Sequence, residues 1–289
     1  SNAFDDRKPE WSKEFAELKD LLTPEEYAAA RASTLNAHYT SIDVIKAMYD
    51  GLRGLGFNGG RLLEPASGTG NFVGAMPADL TEKVKSWTMI ELDPTTGNIA
   101  KYLYPNSDVR IQGFEKALLP DNLYDAAISN VPFGNFGVTD KSYPGYVTGA
   151  IHNYFFAKAL DKVRPGGLVM FITSRFTMDS YKNDLRKYLA DRADLLGAIR
   201  LPDTAFAQNA GTSVVTDILV LKKRDPGEPY AGESFIHSSY TNFGTGSEYE
   251  NNYFREHPDM VLGDPSFTGS MYSRKPLTST APDGDLGDQ

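Results

Sequence analysis

A doubly wound α/β fold, with a seven-stranded and mostly parallel sheet between two helical layers, is predicted by three observations. Short apolar runs recur seven times between residues 60 and 224, helical stretches separate several of them, and the first run ends in a Gly-x-Gly turn. Such alternation calls for right-handed crossovers, which set parallel strands side by side. The strands are expected near 61–65, 87–92, 108–112, 124–129, 167–173, 195–200 and 214–222, with helices at 151–163 and 178–191.

The chain divides into three zones. Residues 1–56 read as a helical extension: Trp11, Phe15, Leu18 and Leu22 share one helix face, and Thr23-Pro24-Glu25-Glu26 carries the signals of a capping box. A further helix runs from Ile42 to Leu55 and is closed by Gly54 and Gly56. Residues 57–224 hold the α/β domain. Residues 225–289 are rich in Gly, Ser, Asn, Pro and Tyr and are expected to form loops and short elements with an acidic end.

Composition narrows the function. Of the 289 residues, 40% are hydrophobic, which supports a sizeable core, and no cysteine is present, which excludes disulfides, thiolate metal sites and cysteine nucleophiles. The 38 acidic and 29 basic residues give a charge of −9, unlike that of a protein coating nucleic acid by bulk charge. No apolar run is long enough for a membrane span, so a cytoplasmic location with no membrane partner is expected. Ser1-Asn2-Ala3 reads as a cloning remnant, and the chain as part of something longer.

The first strand leads into Leu63-Glu64-Pro65-Ala66-Ser67-Gly68-Thr69-Gly70-Asn71-Phe72. A strand, a Gly-x-Gly turn and a helix present backbone amides to a ligand at the carboxyl edge of a sheet. A P-loop requires a lysine that this turn lacks, and a dinucleotide fingerprint requires a glycine where Val73 stands. A site for S-adenosyl-L-methionine suits Glu64, whose carboxylate faces a cationic methionyl end, and Glu91-Leu92-Asp93, whose acids can accept from ribose hydroxyls. A turn with no ligand is the plain alternative.

The fourth strand stops at Asn130-Val131-Pro132-Phe133-Gly134, at the switch point where ligands bind. Here the sequence resembles the amino-methyltransferases with an (Asn/Asp/Ser)-Pro-Pro-aromatic signature. With His38-Tyr39-Thr40-Ser41, Leu63 to Gly70, Ile90 to Pro94, Arg164-Pro165-Gly166-Gly167 and Thr216 to Val220, it resembles gamma-order adenine-N6 DNA methyltransferases over about residues 36 to 224. His152-Asn153-Tyr154-Phe155-Phe156, Leu196 to Pro202 and His257 to Gly263 further resemble the methylase portion of large methylase–helicase proteins of phages and conjugative elements.

The resemblance implies a Rossmann-like methyltransferase fold, S-adenosyl-L-methionine as cofactor, and methyl transfer to adenine N6 in DNA, as in restriction–modification. Asn130, Val131, Pro132 and Phe133 would be catalytic. The Asn130 side-chain oxygen and the Val131 carbonyl accept the amine hydrogens, Pro132 restricts Val131 to extended backbone, and Phe133 stacks on a base drawn out of the helix. Val131 replaces the usual proline, which removes one constraint but keeps the carbonyl. Tyr39, Thr40, Glu64, Pro65, Ala66, Gly68, Gly70, Phe72, Glu91 and Asp93 would line the cofactor. Phe114 and Glu115 either hold its adenine or form a simple loop, since Glu115 lies one place beyond the usual acid. An amino-methyltransferase of RNA or protein glutamine, and a silent module of a larger assembly, stand as alternatives.

Four histidines lack metal-ligand spacing; His38 and His152 are read as structural hydrogen-bonders, and Phe155 and Phe156 as core. Lys222-Lys223-Arg224 reads as a solvated strand end, and residues 142–149 as a flexible loop. DNA is the expected partner, gripped weakly and without sequence preference by Lys141, Arg175, Lys182, Arg186 and Lys187. Target reading is left to further domains of a longer polypeptide or to a separate recognition subunit.

Overall fold

The computed structural model describes residues 11–24, 27, 40–134, 136–202, 205, 215–244, 246–266 and 278–280. Helix α1 (Ser12–Leu21) buries none of its residues. Most of the helix expected from Thr23 onward, with His38 and Tyr39, lies outside the described residues. Helix α2 (Ile42–Gly54) starts where the Ser41 hydroxyl accepts from the Val44 amide, a normal N-cap. Val44, Ile45, Met48, Tyr49 and Leu52 recur on its inner face and are buried against the sheet.

Alternation then proceeds through β1 (Gly60–Glu64), two short helices α3 (Asn71–Gly74) and α4 (Ala78–Thr81), β2 (Val84–Glu91), α5 (Pro94–Leu103) and β3 (Asp108–Ile111). It continues with β4 (Tyr124–Asn130), α6 (Gly145–Thr148), α7 (Ile151–Lys162), β5 (Val163–Ser174), α8 (Phe176–Asp179), α9 (Asp184–Ala190), β6 (Ala193–Leu201) and β7 (Thr216–Lys223). Strand order is β3-β2-β1-β4-β5-β7-β6, with β7 antiparallel to both neighbours and the β1–β5 pairs parallel. Buried apolar side chains fill both faces: Leu62, Met89 and Ile128 meet α2, while Leu63, Ala127 and Phe171 meet α7. The order reverses between β1 and β4, and there the site lies.

One expected helix is broken. Residues 178–191 form the end of α8 and then α9, with a gap at Ser180 to Asn183. Carbonyls that would accept i+4 amides are taken by side chains. Arg186 donates to Thr177 and Ser180, while Ser238 and Asn251 donate to Met178.

Those donors show how the chain after Arg224 packs. A hairpin of β8 (Ser238–Asn242) and β9 (Ser247–Asn251) leads to α10 (Asn252–Glu256), and β10 (Asp264–Ser266) pairs with β11 (Thr278–Thr280). Phe235, Tyr253 and Phe254 are buried in the main core. At the carboxyl edge, Arg200 makes a two-pronged pair with Asp217 at 2.8 and 3.0 Å and a third contact to Asp179 at 2.8 Å. Asp179 also takes Arg175 and the Asn251 amide, and Arg175 reaches Glu248 of the hairpin. Attraction to the two carboxylates holds the Arg200 guanidinium charged despite the opposing cost of its burial.

Candidate active site

At the end of β1, Glu64 is 1% exposed, and its Oε2 has no hydrogen-bond partner among the described residues. Burial, followed by repulsion from Glu91, raises this carboxyl well above the usual range. A buried anion without a partner is costly, and a cationic group placed beside it removes that cost. Two tyrosines not apparent from the sequence frame it. Tyr49 of α2 donates to the Phe72 carbonyl at 2.7 Å, and burial and Glu64 raise both Tyr49 and Tyr104. Tyr49 lies on the buried face of α2.

The glycine turn is held from behind. The Ser67 amide donates to the Ile90 carbonyl and the Gly68 amide to Glu91 Oε2 at 2.8 Å, while Glu91 Oε1 takes the Asp93 amide at 2.8 Å. Gly70 has φ +91°, and a Cβ there would lie 2.3 Å from the Tyr104 ring, so only glycine fits. At Gly68 the corresponding space is open, so a ligand can approach its backbone. Glu91 therefore fastens the end of β2 to the turn. Burial raises its carboxyl, and the backbone hydrogen bonds oppose that rise.

Not every expected cofactor residue faces this opening. Asp93 caps α5, its Oδ2 accepting from the Thr96 amide at 2.7 Å and the Thr96 hydroxyl at 2.6 Å. Phe72 is 3% exposed and packs in the core below α2. Pro65 is buried, and the Ala66 carbonyl accepts from Ser129 of β4 at 3.4 Å. Phe114 is also core, its ring 5.0 Å from that of Phe155. Its carbonyl and that of Glu115 accept from the buried Lys158 of α7 at 2.7 and 3.3 Å, so this loop is held by a lysine that the sequence did not single out. Glu115 itself is half-buried.

Beside the turn, the end of β4 carries the tetrapeptide. The Asn130 amide nitrogen donates to the Thr40 hydroxyl at 3.1 Å, which brings the segment before α2 against the tetrapeptide. Val131 is buried and its amide donates to the Ile172 carbonyl of β5 at 3.1 Å; Pro132 and Phe133 are half-buried. Thus the β5 backbone helps locate Val131 where the usual first proline of the pair is missing. His152 is buried, which pulls it down to about 4, and its Nδ1 has no hydrogen-bond partner among the described residues. It is not the hydrogen-bonder expected at that nitrogen.

Three expectations are corrected. Residues 142–149 are fastened: α6 buries Val147, Tyr143 bonds Asp161 at 2.5 Å, and Tyr154 holds Asp140 at 2.7 Å. The cation cluster expected to grip DNA is divided, because Arg175 and Arg186 are 6% and 1% exposed and serve carboxylates and carbonyls inside the protein. Lys141, Lys182 and Lys187 remain exposed. Lys223 and Arg224 are likewise not simply solvated. Lys223 donates to Asn122 and two carbonyls, and Arg224 pairs with Asp194.

The fold matches known proteins. A class I S-adenosylmethionine-dependent methyltransferase of Listeria monocytogenes superposes with TM-score 0.57 at 17% identity, over 81% of each chain. The chain has the S-adenosylmethionine-dependent methyltransferase fold. The modification subunit of a type I restriction enzyme from Vibrio vulnificus gives TM-score 0.53 at 14% identity, over 96% of this chain and 64% of that one. The M protein of the type I restriction enzyme EcoKI gives 0.52 at 17% identity, over 83% and 56%. In sequence, 212 residues are 30% identical to the defense against restriction protein B of Escherichia phage P1, covering 71% of this chain and 9% of that protein. The chain thus spans less than a tenth of that relative. No family model matches it. Among the described residues, no group of acids and histidines could hold a metal ion, and no helix is long and apolar enough to cross a membrane.

Proposed function

We propose that this chain is the methyltransferase unit of a larger protein and transfers a methyl group from S-adenosyl-L-methionine to adenine N6 of DNA. The observation that carries the reading is the juxtaposition at β1 and β4. These are neighbouring strands, one ending in the buried Glu64, whose Oε2 has no partner among the described residues, and the other leading into Asn130-Val131-Pro132-Phe133. Likeness in fold to modification subunits and 30% identity to a phage protein support it.

The residues fit the cofactor, since Glu64 Oε2 lacks a partner and Gly68 leaves its backbone open. Glu64 would meet the methionyl ammonium, the Gly68–Gly70 backbone would lie along the ligand, and Glu91 would accept from the ribose. When bound, the cofactor supplies an electrophilic methyl on a sulfonium. An adenine amine is a weak nucleophile because its lone pair is conjugated with the ring. The Asn130 side-chain oxygen and the Val131 carbonyl would accept its two hydrogens and favour a tetrahedral nitrogen. With its hydrogens held by Asn130 and Val131, the methylated amine would shed its surplus proton to water. Phe133 would support the extruded base, and the fixed strand ends supply orientation. Thr40 steadies Asn130 from the side.

Transfer of labelled methyl to unmethylated DNA, with RNA and protein as parallel substrates, tests the reading. Asn130→Ala should abolish transfer while cofactor affinity measured by calorimetry stays within about threefold, because its side-chain oxygen serves the target amine. Undiminished transfer by that variant would remove the assignment.

A further inference from the structure

With Arg175 and Arg186 turned inward, the cationic charge open to a ligand gathers elsewhere. At the amino edge of the sheet, a pocket of about 410 Å³ is lined by Lys83, Lys85, Arg164 and Lys222 against one carboxylate, Asp125. Topology brings them together. Lys83 and Lys85 flank the start of β2, Arg164 opens β5, and Lys222 ends β7, which runs antiparallel and so returns to this edge. Asp125 is already occupied, accepting from Arg164 Nε and from the Arg61 amide at 2.8 Å each. Against the cost of its burial, those bonds hold its carboxyl below the usual range. Among the described residues, no carboxylate lies within 4.0 Å of Lys83, Lys85 or Lys222, and all three side chains are exposed.

Lys83 and Lys222 have no carboxylate partner among the described residues, and Lys85 has only the longer-range attraction of Asp125. The excess positive charge lining this pocket, in a chain of net charge −9, therefore suits a multiply charged anion. The lining contributes no exposed aromatic face on which a base could stack, and its one acid is not available to a ribose. Charge is therefore what it offers, which suits a phosphate backbone more than a free nucleotide. We infer that this pocket binds the phosphate backbone of a nucleic-acid segment, at the edge of the sheet opposite the candidate active site. The length of β1, five residues or roughly 16 Å, separates the two edges. The segment bound here is therefore distinct from the one that presents a target base, and the inference does not depend on the methyltransferase reading.

The test is fluorescence anisotropy with labelled duplex and single-stranded DNA across a salt series, comparing the parent with the Lys83→Gln/Lys85→Gln/Lys222→Gln variant. Loss of three phosphate contacts should flatten the slope of log affinity against log salt by about 2.7 for duplex and about 2.1 for single strands, and lower affinity at low salt at least ~10-fold. The corresponding triple arginine variant should retain binding. The three side chains are exposed, so thermal unfolding should be unchanged, as should cofactor affinity. An unchanged salt slope in the glutamine variant would overturn the site. Polyglutamate binding as tightly as DNA would overturn the assignment to phosphate, and ATP binding more tightly than DNA would overturn the assignment to a nucleic-acid backbone.

Discussion

Glu64→Gln should make the unliganded protein more stable and at the same time loosen its hold on a cationic cofactor. In the folded chain this carboxyl is buried, lacks a partner at Oε2 and is raised from 4.5, whereas in the unfolded chain it ionises normally. Between those two values the folded state binds more protons than the unfolded state, so stability falls as pH rises from 4.5 toward the folded value. Below 4.5 both states are protonated and nothing is lost. At pH 7 the penalty cannot exceed the cost of keeping the proton on over that interval, about 1.4 kcal/mol per pH unit or about 3.4 kcal/mol in all. An unmatched buried acceptor sets the lower end near 1 kcal/mol. Glutamine keeps the shape without the charge, so unfolding at neutral pH should move up by roughly 2–10 °C, and the decline in stability as pH rises above 4.5 should flatten. Loss of a charge-assisted hydrogen bond of ~1.5–3 kcal/mol should weaken cofactor binding roughly 10- to 150-fold. Thermal unfolding across that pH range, with and without S-adenosylhomocysteine, reads both effects. A glutamine variant less stable than the parent at neutral pH, with a parallel pH profile, would refute the reasoning.

Arg200→Met strands Asp217 and Asp179 in the interior and should cost ~3–5 kcal/mol in denaturant unfolding, whereas adding Asp217→Leu should recover part of that loss. Glu91→Gln keeps one acceptor but loses the charge that binds the Gly68 amide, so cofactor affinity should fall about 10-fold by calorimetry, with little change in the melting of the rest of the sheet. A chain ending at Arg224 loses Phe235, Asn251, Tyr253 and Phe254 from the interior and leaves Asp179 and Arg186 without hairpin partners. It should fail to give a cooperative melting transition.

Legibility followed the kind of interaction involved. Strands β1 and β4 lie within a residue or two of where apolar runs placed them, because burial in the interior of a parallel sheet writes itself as a hydrophobic run. Glu64, Glu91 and Asn130 were legible because each ends a strand beside a glycine turn or a proline. Arg175 and Arg186 were misread because sequence shows charge but not its depth. Only the fold reveals that Asp179, Glu248 and the carbonyls of Thr177 and Ser180 are waiting for them. The same blindness hid Lys158 and the packing of the hairpin, whose short elements carry no sustained period.

The fastening of the glycine turn from behind has a thermodynamic consequence. Ser67, Gly68 and Gly70 already spend their amides on Ile90, Glu91 and Ser67. Backbone that must be ordered on ligand entry costs about 1–2 kcal/mol per residue, and here that ordering has been done by the sheet during folding. The turn therefore acts as a mould and not as a glove. Arrival of a ligand requires no local refolding, and discrimination between analogues is expressed in how long each one stays.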